Sequence, residues 1–75
     1  MNAIITTESG SKYYLCGERI TGGSIPNGKV GKYLNSFKFE GLHSVDLPIT
    51  GACMFIKMQD GRTVKTSPVQ HMEIL

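Results

Sequence analysis

Cysteine is scarce in this chain and carries no pattern. The two thiols, Cys16 in "YYLC" and Cys53 in "ACMFI", show neither a C-x-x-C nor the Cys/His spacing of a zinc site, which excludes a disulfide framework and a metal-built core. At most one bridge could form. Free cysteine in an apolar run behaves as a small hydrophobe, so two buried, reduced thiols and a cytosolic compartment are expected. Long apolar runs are lacking too: nothing approaches the ~20 residues of a membrane helix, and "MNAIITTESG" has neither the charged start nor the apolar stretch of a signal peptide. The expectation is a protein neither secreted nor membrane-bound. Charge of one sign is also in short supply. Eight Lys+Arg against six Asp+Glu leave +2, too mild an excess to specify a nucleic-acid partner unless the cations cluster. Finally, no segment keeps the i, i+3, i+4, i+7 apolar spacing of an amphipathic helix over three turns.

What the chain does have is β-type sequence divided by glycine turns. "AIITT", "ESGS" and "KYYLC" read as a hairpin around a Ser-Gly turn. "ERIT" reads as an extension of the second strand past a bulge at Gly17. The stretch 22–31, "GGSIPNGKVG", reads as a loop. In "KYLNSFKF", Tyr33, Phe37 and Phe39 share one parity and Lys32, Ser36 and Lys38 the other, as in a half-buried strand. "EGLHSVDLPITG" is a connection with room for one helical turn, ended by Pro48 and Gly51. "ACMFIKM" is apolar on both parities, as a central barrel strand would be. The Asp-Gly of "QDGR" then turns the chain into "TVKT", and Pro68 splits the last run into a strand, a kink and a strand. The fold expected is all-β: a small five- to six-stranded antiparallel SH3-like barrel with at most one short helical turn, because closure removes edges that a small sheet must otherwise protect. Residues 1–75 form a single small β domain. A chain this short buries only about 60–65% of its unfolded surface, and with disulfides and metals discounted, oligomerisation is the expected source of extra stability.

Four groups of residues invite a chemical reading. "GSIPNGKV", residues 23–30, fits the phosphate-loop pattern G-x-x-x-x-G-K, but Val30 stands where the magnesium-binding Ser/Thr should be and no helix pattern follows. The match is a turn built on Pro26-Asn27-Gly28, and a glycine-rich loop on a rigid scaffold can still cover a ligand. "HSVD" places His43, Ser44 and Asp46 close together in sequence; catalytic triads are assembled in space, and no G-x-S-x-G elbow is present. His71 reads as an outward-facing strand residue. The cations Lys29, Lys32 and Lys38, in or after the glycine loop, and Arg62 and Lys65 around the Asp-Gly hairpin form a patch if loop and hairpin fall on one side. Solvated strand faces are the alternative. Thr66 and Ser67 stand before a proline that holds Ser67 extended, where they either pass the chain between sheet edges or offer hydroxyls at a pocket rim.

"TTESGSKYYL" (6–15) and "TSPVQHMEI" (66–74) together resemble a loose pattern of small phage and prophage proteins that begin T-x-S-G-S-x-Y and finish T-S-P-V-x-x-I, and "PITGACMFI" resembles the G-x-x-x-x-I strand before that ending. Gly17 to Val45 lie outside the likeness. The resemblance implies a small accessory protein of phage origin in the host bacterial cytosol, acting without catalysis. By analogy it implies an anti-defence role, either sequestering a nucleotide-like signalling molecule or inhibiting a host defence protein.

The expectation is a non-enzymatic binding protein, a homo-oligomer, with no cofactor and no metal. Lys29, Lys32, Arg62 and Lys65 would meet phosphates, Tyr33 would stack, and Thr66 and Ser67 would hydrogen-bond the ligand. The alternatives are a nucleic-acid-binding small barrel and a structural phage subunit.

Overall fold

The computed structural model describes residues 2–35 and 48–75. Among them there is no helix, and the strands β1 (Asn2–Thr7), β2 (Lys12–Cys16), β3 (Arg19–Gly22), β4 (Gly31–Asn35), β5 (Cys53–Lys57) and β6 (Thr63–Ile74) follow one another around a closed antiparallel barrel. This is the small SH3-like barrel expected from the alternating runs and tight turns. Period-two alternation does the sorting: Ala3, Ile5 and Thr7 of β1 and Tyr13 and Leu15 of β2 point inward, while Lys12, Tyr14 and Cys16 point out. Ile20, Tyr33, Met54, Ile56 and Val69 complete the centre, and burial of each such side chain contributes about 1.5–3 kcal/mol relative to exposure.

Two sequence expectations change. "ERIT" does not extend the second strand. Cys16 lies opposite Arg19, so Gly17-Glu18 is a two-residue hairpin turn and β3 runs back along β2. Gly17 has φ +62° and Glu18 does not have positive φ, the sign pattern of a type II′ turn, which suits the twist of hairpin strands. The thiols are free, but Cys16 is exposed and Cys53 half-buried, because both fall on outward parities. The expected aromatics Phe37 and Phe39, the remaining cation Lys38, the residues His43, Ser44 and Asp46, and most of the segment expected to hold a helical turn lie outside the described residues.

β6 closes the barrel because it bends. Its first half pairs with β5 and its second with β1, and each pairing contains a one-residue register shift, between Cys53 and Phe55 and between Thr6 and Thr7. Each shift flips the inward face: Val64 and Thr66, then Val69, then Met72. Pro68 sits at the crossover. It has no N–H to contribute, and its carbonyl accepts from Glu8 N at 2.9 Å while Val69 N donates to Ala52 O at 2.9 Å.

Candidate anion-binding site

The glycine loop 23–30 is pinned to the barrel at both chain and side-chain level. Ile25 is buried in the core and its N–H donates to Gly22 O at 2.9 Å. The Tyr13 hydroxyl lies 2.9 Å from Ser24 Oγ and accepts from Ser24 N at 3.2 Å. Gly23 makes this approach feasible: its φ is +54°, and a Cβ there would collide with the Tyr13 ring. Lys29, whose N–H donates to Pro26 O at 3.0 Å, is thereby set on the exposed rim.

Facing this loop is the β5–β6 hairpin. Met58 N donates to Arg62 O at 2.8 Å and Gly61, at φ +90°, makes the turn. Asp60 organises the tip, its Oδ1 accepting from Arg62 N at 2.9 Å and its Oδ2 from Arg62 Nε at 2.6 Å. The backbone N–H and then the guanidinium of Arg62, with a further contribution from the Lys29 charge, hold the Asp60 carboxyl below its ordinary range, so it stays ionised. Loop and hairpin enclose a cleft of about 340 Å³ with Lys29 and Arg62 on its walls and Pro26, Val30, Met58 and Val64 as apolar lining. Among the described residues, two cations and the one carboxylate of Asp60 line the cleft, and with Arg62 paired to Asp60 the uncompensated charge is that of Lys29.

Two shallower hollows adjoin it. One, of about 620 Å³, runs along the other flank of the loop from Lys29 and Val30 to Tyr14, a residue 52% exposed. The second, of about 710 Å³, lies over the outer face of β3, β4 and β5. There the register sets Arg19 opposite Lys32 and Lys32 opposite Lys57, three exposed cations in one row. Glu18 meets the row at one point, with Glu18 Oε2 3.8 Å from Lys32 Nζ. Among the described residues neither Arg19 nor Lys57 has an ion-pair partner. Like charges directly opposite on a sheet are destabilising, so the row is not explained by stability.

The seven residues expected at the site thus separate. Lys29 and Arg62 converge on the cleft, and the condition that loop and hairpin share one side is met. Lys32 lies in the outer row, and Lys65, opposite Phe55 on the same outer face as Lys57, borders it. Tyr33 is not available for stacking: it is 6% exposed because its parity on β4 points it into the barrel. Thr66 is also turned inward, its Oγ1 accepting from Met54 N at 3.0 Å and donating to Ser67 O at 2.8 Å. Ser67 Oγ accepts from Ser9 N at 3.3 Å and lies 3.0 Å from Ser9 Oγ, so both hydroxyls serve the fold. The sequence reading missed Arg19, Lys57 and Tyr14. Tyr14 was legible, since Tyr13 and Tyr14 cannot both face inward; Arg19 and Lys57 become neighbours only through register.

No family model, curated protein or solved structure matches the chain. Among the described residues, no group of three or more His, Cys, Asp or Glu could hold a metal ion, and no helix is long and apolar enough to cross a membrane.

Proposed function

We propose that the protein is a non-enzymatic binding protein of phage type that captures a phosphate-bearing, nucleotide-like ligand in the cleft between loop 23–30 and hairpin 58–62. The observation that carries this reading is the convergence of Lys29 and Arg62, from segments far apart in sequence, on a cleft with apolar lining. Cations at the wall recognise phosphate, and the lining suits the face of a base or sugar. Tyr14, at the far flank of the loop, takes the stacking role first expected of Tyr33. The resemblance of 6–15 and 66–74 to phage proteins supplies the context: in an infected cell, capture of such a molecule would be an anti-defence act in the host cytosol.

Native mass spectrometry of the purified protein, alone and after addition of nucleoside mono-, di- and triphosphates, tests this and reports the subunit count. Retention of a nucleotide-sized mass, lost in the Lys29→Ala/Arg62→Ala variant while the melting temperature is kept, is the expected result. Equal retention by that variant would remove the cleft from the proposal. No retention of any phosphate-bearing compound would leave inhibition of a host defence protein as the better reading.

A further inference from the structure

Val30 lines the cleft and both neighbouring hollows, and it is 37% exposed. It is the residue at which the glycine loop departs from a phosphate loop. Instead of a magnesium-binding hydroxyl, an apolar side chain stands at the junction of three cation-bearing surfaces. Lys29 is shared by the cleft and the Tyr14 hollow, while Met58 and Gln59 are shared by the cleft and the outer row. The three surfaces are therefore contiguous, with Arg62 and Lys29 at one end, Arg19, Lys32 and Lys57 at the other, and the uncharged Val30, Met58 and Gln59 between them. Opposite residues on antiparallel strands stand about 5 Å apart, so the row alone extends about 10 Å across the sheet. A mononucleotide held in the cleft leaves that row unused.

Resting on the reading of the cleft given above, we propose that the ligand is a single-stranded oligonucleotide, whose backbone crosses from the cleft onto the Arg19–Lys32–Lys57 row. Two features favour a single strand over a duplex. Unpaired bases expose their faces and need apolar or aromatic contacts, which Val30 and Tyr14 offer next to the cations; a duplex hides those faces in its stack. The row also lies across strands of a small, strongly curved barrel, a surface that a bendable backbone follows more readily than a stiff double helix. Glu18, paired with Lys32, is then a local brake on binding.

The test is fluorescence anisotropy with labelled oligothymidylates from the mononucleotide to the octamer, across a salt series. Affinity should rise at least tenfold with length, and log K should fall linearly with log salt. In Arg19→Ala/Lys57→Ala the octamer should bind about tenfold more weakly and the salt slope should lessen by about 1.4, two contacts at about 0.7 each, with mononucleotide binding unchanged and the melting temperature unchanged or higher. Glu18→Gln should tighten the octamer, a gain that impaired folding would not produce. Mononucleotide and octamer affinities that agree, with an unchanged salt slope in the double variant, would overturn the oligonucleotide while leaving the cleft reading intact. A duplex of equal length binding as tightly as the single strand would also overturn it. Failure of every phosphate compound to bind would remove both readings.

Discussion

Two polar clusters on this barrel are assembled from segments distant in sequence, and they end differently. At the crossover of β6, Thr7, Ser9, Ser11 and Ser67 bring their hydroxyls within 3.0–3.4 Å of one another or of a carbonyl, while Thr66 caps the Met54 N–H. Each group finds a partner inside the protein. Across β3, β4 and β5, Arg19, Lys32 and Lys57 are also brought together, but among the described residues a single carboxylate, Glu18, answers them. A cluster that satisfies itself is explained by the fold. A cluster held together against its own repulsion needs something from outside. That distinction moves Thr66 and Ser67 out of the candidate site and brings Arg19 and Lys57 into it. The segments 6–15 and 66–74 meet at this seam, their hydroxyls bonded to one another beside the β1–β6 ladder that closes the barrel.

The comparison can be broken by mutation. The largest effect is expected at Gly23, which serves neither cluster but positions the loop: Gly23→Ala drives a Cβ into the Tyr13 ring at a left-handed backbone position and should cost about 3 kcal/mol in urea denaturation. Next, Thr66→Val leaves the buried Met54 N–H unpaired and should cost about 1–3 kcal/mol, with Thr66→Ser restoring most of it. If Thr66→Val instead keeps stability and loses ligand, the hydroxyl seam belongs to the site after all. Arg19→Ala/Lys57→Ala should act oppositely to Thr66→Val, raising stability by roughly 0.2–1 kcal/mol through relief of like charges while weakening the ligand. A stability loss there would assign the row a structural role.

The smallest effect concerns Asp60. Its folded pKa is lowered, so its contribution to stability is present above the unfolded carboxyl pKa and disappears as pH falls through the folded value. Asp60→Asn should lower stability slightly at neutral pH and match the parent protein in acid, flattening the acid limb of a stability–pH curve; the effect is small because the side chain is exposed. A curve that shifts at pH 7 and stays steep in acid would show that Asp60 acts by shaping the hairpin rather than by its charge.

The barrel was largely legible in the chain because its causes are local. Alternation in "AIITT" and "KYYLC", the Asp-Gly turn before "TVKT" and the kink at Pro68 each follow from side-chain parity or from one residue's backbone limits. Parity also decides that Tyr33 is core, which removes the stacking role expected of it, and that Tyr14 is surface. "ERIT" was misread because Gly17 suits a bulge as well as a II′ turn, and only pairing with β2 separates them. The cationic row could not be read at all. Arg19, Lys32 and Lys57 are 13 and 25 residues apart in the chain, and their meeting depends on two registers, Arg19 with Lys32 and Lys32 with Lys57. Short-range chemistry thus determined strands, turns and the all-β class from the sequence alone. The cleft, the row and the self-satisfied hydroxyl seam were decided by tertiary structure, because register and barrel closure set which surface groups meet and which are left for a ligand.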